Sequence, residues 1–149
     1  MYINNLITGT MTLGSGGSTP STRAETRIWW SNDESDCSDC PSNNGTFEYN
    51  CFPEEKHPSD AVKVEFGSDV AEIESGLFML GSGLTSATIP NSVTNIGSSA
   101  FAYCSGLTSV TIPNSVTSIG DSAFEGCSGL TSATIGSGIQ RIGGSAFDT

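Results

Sequence analysis

The sequence has little positive charge. Arg23, Arg27, Lys56, Lys63 and Arg141 are the only basic residues among 149, and they form no patch. Each phosphate contact needs a cation, so nucleic acid and anionic membrane are excluded as partners. Histidine occurs once, as His57 in the polar stretch EEKHPSD, and no nucleophile–base–orienter set accompanies it. Nothing in the chain therefore points to an enzyme, and no cofactor is expected. GSGGST lacks the lysine and the spacing of a phosphate loop, which argues against nucleotide binding. Long apolar runs are missing too, so no segment reaches transmembrane length. The opening MYINNLITGTMTLGSGG has no charged n-region and no long apolar h-region, and so is not a secretory signal. Met1 reads as a true start, from which the chain stays inside, leaves by another route, or leaves within an assembly.

Charged residues make up 14% and hydrophobic residues 36% of the chain, too few for a thick core of long side chains. Gly, Ser, Thr and Asn fill the gap. This composition fits either partial disorder or a thin, regular, β-rich stack. The net charge of −11 is unevenly placed, with 13 of the 16 acidic residues between Glu25 and Glu74.

Three zones follow along the chain. Residues 1–26 form an extended N-terminal arm that begins with apolar and β-branched residues, among them Ile3, Leu6 and Ile7, and passes into the flexible GSGGSTPST. Residues 27–59 hold most of the aromatics and three of the five cysteines, and read as a capping segment. Residues 60–149 repeat with a period of 23: 60–82, 83–105, 106–128 and 129–149. The two central copies agree at 18 of 23 positions without a gap.

The period organises the apolar residues into columns. One is Ala61, Leu84, Leu107 and Leu130; another is Val64, Ala87, Val110 and Ala133. Phe66, Ile89, Ile112 and Ile135 form the next, then Val70, Val93, Val116 and Ile139, then Ile73, Ile96, Ile119 and Ile142. Leu77, Ala100, Ala123 and Ala146 precede the strongest column, Phe78, Phe101, Phe124 and Phe147. No copy buries these residues alone. Stacking the copies about 4.8 Å apart puts like on like. Alternation in SATI and SVTI gives a short strand with Ala87 and Ile89 inward and Ser86 and Thr88 outward. Pro90 and Pro113 end that strand, and VTNIG or VTSIG forms a second, shorter one. SSAFAYC and DSAFEGC read as a helical or 3-10 turn whose first Ser or Asp caps its own free amides. The fold class is thus a β-rich solenoid of about four coils with short parallel strands, preceded by the irregular or β cap and the arm.

The phrase LTSVTIPNSVTSIGDSAFEGCSGL resembles the BspA-type leucine-rich repeat, with its 23-residue unit of Leu, Ile-Pro, Val, Ile-Gly, Ala-Phe and Cys. The resemblance covers residues 60–149. It implies a right-handed leucine-rich solenoid of a kind found in gut and oral bacteria, their phages and some protists. Many such proteins resemble surface proteins that bind host matrix proteins or other cells. Departures are Gly67 and Gly136 in place of Pro, and Gly81 in place of Cys.

Each candidate site has a plainer reading beside it. Cys104 and Cys127 share a column and are expected as buried thiols, with a disulfide between coils as the alternative. Cys37, Cys40, Cys51 and His57 have the residue types of a tetrahedral zinc site, although one disulfide or free thiols fit the three cysteines as well. Asp33, Glu34, Asp36 and Asp39 can bind Ca²⁺ or form a solvated acidic loop. Trp29 and Trp30 point to opposite faces if extended, as an exposed platform or as a lid over the first coil. Asn44-Gly45-Thr46 is a glycosylation sequon, meaningful only in a host that uses it.

Two functional readings remain. In one, the outward rows Ser86, Ser109, Ser132 and Thr88, Thr111, Thr134 are a binding face for a host protein or glycan, as in a surface adhesin. In the other, the chain is a self-associating structural subunit of a fibre, surface layer or virion, placed outside the cell. There Ile3, Leu6 and Ile7 of the arm and Ile135, Ile139, Ile142 and Phe147 of the last copy serve assembly, because those four have no coil beyond them. The second reading is the preferred expectation.

Overall fold

The computed structural model describes residues 26–30, 37–40, 46–47 and 57–149. Ile3, Leu6, Ile7, Asp33, Glu34, Asp36, Asn44 and Cys51 lie outside the described residues. The described chain is a β-solenoid whose coils each contribute one strand to each of two sheet faces. The first face contains β4 (Lys63–Glu65), β6 (Ser86–Thr88), β8 (Ser109–Ile112) and β10 (Ser132–Ile135). The second contains β5 (Glu72–Ile73), β7 (Asn95–Ile96), β9 (Ser118–Ile119) and β11 (Arg141–Ile142).

Coils pair in parallel with each residue opposite its counterpart one period away. Val64 faces Ala87, Val110 faces Ala133, and Ile73, Ile96, Ile119 and Ile142 run in one file. On the first face the ladder is interrupted between β6 and β8, which nevertheless lie side by side. The second face is continuous.

The register exists because the apolar columns bury against themselves. Val64, Phe66, Ile73, Leu84, Val93, Ile96, Leu107, Ile112, Val116 and Ile119 belong to one buried cluster. The phenylalanine column is a single file of rings. Centroids of Phe78 and Phe101 are 5.6 Å apart, those of Phe101 and Phe124 5.2 Å, and those of Phe124 and Phe147 5.1 Å, with interplanar angles of 6°, 9° and 4°. Phe66 meets Phe78 edge-on at 6.0 Å and 78° and ends the file. Stacked and edge-on pairs are both favourable ring geometries.

At the N-terminal side, β1 (Thr26–Trp29) lies antiparallel on β4, and β2 (Cys37–Cys40) antiparallel on β1. Ile28 stands opposite Val64 and is fully buried. Buried Thr26 accepts a 3.0 Å hydrogen bond from the Gly67 amide through Oγ1, and the Val62 amide donates to the Trp29 carbonyl at 2.8 Å. On the second face, β3 (Thr46–Phe47) adds in parallel to β5. The first face therefore gains two strands ahead of the first repeat, and the second face gains one.

The turns differ from the sequence expectation. SSAFAYC and DSAFEGC form turns and no helix. Ser99 and Ser122 sit at φ 56° and 55°, which turns the chain off a right-handed helical path. The following amides are taken by the next coil: Phe78 donates to the Ala100 carbonyl, Phe101 to Ala123 and Phe124 to Ala146, each at 2.8 Å. Nor does the leading residue cap its own turn. Ser75 Oγ accepts from the Ser98 amide at 3.1 Å, and Asp121 Oδ1 from the Gly144 amide at 2.9 Å, so both side chains tie one coil to the next.

Candidate functional site

Four surfaces carry the residues singled out by sequence. The first is the outward side of the first face. Strand alternation aims Val110 and Ile112 into the core and leaves Ser109 and Thr111 exposed. Thr88, Ser132 and Thr134 are likewise exposed, and Ser86 is partly so. Register brings Ser109 opposite Ser132 and Thr111 opposite Thr134, so the expected rows are rows in space.

A neighbouring set of hydroxyls has a different task, which the sequence reading missed. Thr85 Oγ1 donates to the Val62 carbonyl at 3.0 Å, Thr94 to Ala71 at 3.2 Å, Thr117 to Thr94 at 3.2 Å and Thr131 to Thr108 at 3.1 Å. These threonines hold coil to coil. The only signal in the sequence was their position at strand starts and corners instead of on alternating strand positions.

At the head of the outward rows sits Trp29. The residue is only 7% exposed, with the Arg27 guanidinium 4.8 Å and the Lys63 ammonium 4.3 Å from the centre of its ring. Lys63 also pairs with Glu65 at 2.9 Å. Trp29 is thus not a bare platform. Trp30 packs against the core cluster and, with Ile28, covers the first coil.

The second surface is a shallow groove of about 220 Å³ along the second face. Its polar lining includes Ser75, Asn95, Ser98, Ser118, Asp121 and Arg141. Nothing in the sequence reading pointed to it. A signal was there: two of the five differences between the near-identical central copies, Asn95/Ser118 and Ser98/Asp121, fall on this groove.

The third surface is the turn side, where Met79, Leu80 and Tyr103 are exposed. Tyr103 Oη donates to Glu125 Oε1 at 2.9 Å. That bond and the nearby carboxylate charge raise the tyrosine pKa. Hydrogen bonds from Ser122 and then Tyr103 hold Glu125 below the usual carboxylate range.

The fourth is the outer side of the last coil. Ile135 and Ile142 are 42% and 48% exposed, whereas their column mates Ile112 and Ile119 are buried. Ile139 and Phe147 are partly buried against the core beside them. Ile135, Ile139, Ile142 and Phe147 therefore belong to the same coil, whose outer side shows apolar surface.

The thiol column is inert. Cys104 and Cys127 are free and buried, not bridged. Each Sγ donates at 3.1 Å to a carbonyl of the preceding coil, Phe78 and Phe101 respectively. Burial first, and then the neighbouring Cys127, push the Cys104 thiol up to about 12. Burial raises Cys127 as well. Such groups stay protonated and are poor nucleophiles and metal ligands.

Of the possible zinc set, Cys37 and Cys40 are placed only by strand register, opposite Trp29 and Thr26. His57 is exposed and serves locally. Its Nδ1 accepts from the Ser59 amide at 3.2 Å, and its own amide donates to Asp60 Oδ2 at 3.4 Å, a capping box on the 3-10 turn Pro58–Asp60. Among the described residues no helix is long and apolar enough to cross a membrane.

Similarity to known proteins agrees with this geometry. No curated protein sequence matches the chain. A solved structure of a leucine-rich repeat protein from Bacteroides ovatus ATCC 8483 is similar, with 28% sequence identity and a TM-score of 0.58. The match covers 69% of this chain and 27% of that longer one. The family model described as BspA type leucine rich repeat region (6 copies) matches residues 36–149, reaching back past the first 23-residue copy into the segment that supplies β2 and β3. Stacked coils, columns of matched side chains and this match together place the chain in the BspA-type leucine-rich repeat family, a repeat scaffold for protein interaction.

Proposed function

We propose that the chain is a non-enzymatic structural subunit that associates with copies of itself, using its leucine-rich coils as the interaction scaffold, in an extracellular fibre, surface layer or virion. The observation supporting this reading is the outer side of the fourth coil, where Ile135 and Ile142 present the apolar surface that every inner coil buries. Strands β10 and β11 lie at the ends of their ladders there. An exposed strand edge beside exposed isoleucines is a ready template for strand addition. A second copy placed on it would continue both faces. In sequence, the arm residues Ile3, Leu6 and Ile7 suit a strand added to β10 of a neighbour.

Sedimentation velocity of the full chain across a wide concentration range tests this. The expected result is a reversible shift to larger species, lost when Ile135→Asp and Ile142→Asp are combined and weakened when residues 1–25 are deleted, a cut that leaves Thr26 and β1 in place. A monomer at the highest concentration overturns the proposal.

A second reading, a surface adhesin module for a host matrix protein or glycan, is favoured by the outward rows. Ser86, Ser109, Ser132 and Thr88, Thr111, Thr134 are identical from copy to copy, yet none of these side chains makes a coil-to-coil hydrogen bond. Combining Thr88→Arg with Thr111→Arg should abolish binding to a matrix-coated surface while leaving self-association intact. Binding that survives both substitutions removes this face from the account.

A further inference from the structure

The turn side of the coils holds two large residues in a backbone conformation that suits glycine. Leu80 and Tyr103 sit at φ 67° and 60°, and the next member of their file is Gly126 at φ 68°. A left-handed backbone brings Cβ against the following carbonyl, a cost that only glycine escapes. Elsewhere in the coils the same conformation is given to small residues, Gly76, Ser99, Ser122 and Ser145. Burial does not offset the strain at Leu80 and Tyr103, whose side chains are 60% and 47% exposed. Met79 beside them is 43% exposed. Strained residues with exposed apolar side chains are a mark of a surface kept for use.

The tyrosine is also built in. A Cβ at residue 126 would collide with the Tyr103 ring, so the ring lies directly over Gly126. Its hydroxyl is fixed by Glu125 at 2.9 Å. Both residues that seat it, Glu125 and Gly126, occur where the preceding copy has Ala102 and Tyr103. These two changes, together with the two in the groove, account for four of the five differences between the central copies. A fixed aromatic ring next to an exposed leucine and methionine is a low-entropy anchor site.

The charge around it selects the partner. Met79 shares its file with Ala102, Glu125 and Asp148, so Glu125 borders the patch at Tyr103 and Asp148 lies one coil further along the same file. The chain carries a net −11 and offers few cations of its own, two of which already lie on Trp29. A second copy would bring like charge to this rim. We propose that Met79, Leu80 and Tyr103 form a docking surface for a basic segment of another protein that presents an apolar side chain beside Lys or Arg. The carboxylates of Glu125 and Asp148 meet the cations, and the apolar tip covers Leu80 and the tyrosine ring.

The test is an amide-resolved titration of the ¹⁵N-labelled full chain with a synthetic peptide of alternating lysine and leucine. Lysine–serine and glutamate–leucine peptides serve as controls. The expected result is saturable shifts at Met79, Leu80, Tyr103 and Glu125 with the first peptide only. Affinity should fall at least tenfold in Leu80→Gly and in Tyr103→Gly, and Leu80→Gly should not melt below the parent, because glycine takes this backbone without strain and the leucine side chain is largely exposed. Four outcomes overturn the proposal. They are equal binding of either control peptide, shifts confined to other surfaces, a Leu80→Gly variant that melts well below the parent, and concentration-dependent shifts at these amides without peptide, which would assign the patch to a second copy.

Discussion

Phe124 and Phe147 are 23 residues apart in sequence, yet their rings lie 5.1 Å apart and within 4° of parallel. The same relation joins Phe101 to Phe124, so Phe124 lies stacked between its own counterparts one coil away on either side. Phe124 is fully buried between two such neighbours, whereas Phe147 has one on a single side. Phe124→Ala should therefore lower the stability by about 3–5 kcal/mol, the range for truncating a buried phenylalanine. Phe147→Ala should cost clearly less. Urea denaturation of the two variants checks the order, and equal losses would contradict the single-file packing.

The threonines divide into two groups that substitution should separate. Thr94 and Thr117 donate to carbonyls of the preceding coil, and Thr111 does not. Thr94→Val and Thr117→Val should each lose about 1 kcal/mol, the net worth of an ordinary hydrogen bond. Thr111→Val on the outward row should be neutral within a few tenths of that. Chemical denaturation of the three variants provides the comparison.

The buried thiols give stability a pH dependence. In the unfolded chain a cysteine ionises near pH 8.5, whereas folded Cys104 holds its proton up to about 12. Above the unfolded value the unfolded state binds fewer protons than the native one, so stability falls as pH rises through this window. Cys104→Ala should flatten the slope between the two values. The same burial predicts that Cys104 and Cys127 resist alkylation at neutral pH until denaturant is added, as read by mass spectrometry of the digested chain.

Much of the fold was legible because a solenoid makes sequence spacing into spatial adjacency. The columns ending at Ile135, Ile142 and Phe147 could be written down from the period alone, and the register bears them out. The turns were not legible. Whether SSAF becomes a helix depends on competition between its own carbonyls and those of the next coil, and the left-handed Ser99 with the Phe101–Ala123 bond decides for the next coil. The role of a hydroxyl was equally hidden. Thr85 and Thr88 are three residues apart with the same 23-residue repeat, but only Thr85 sits where its oxygen reaches a carbonyl one coil back. Surfaces formed by unlike residues, such as the groove holding Asp121 and Arg141, were missed because matching of like with like is the signal the period carries.

Direct stacking of one coil on the next is tested by disulfide trapping on the outward face. Thr111 and Thr134 are register partners, which puts their Cα atoms about one strand spacing, ~4.8 Å, apart. Thr111 and Ser132 lie on the diagonal, beyond the roughly 7 Å that a disulfide spans without backbone movement. In the full chain, Thr111→Cys with Thr134→Cys should bridge rapidly under mild oxidation, and Thr111→Cys with Ser132→Cys should stay largely unbridged. Equal bridging of the two pairs, or none in the first, would show that matching residues of successive coils do not face one another.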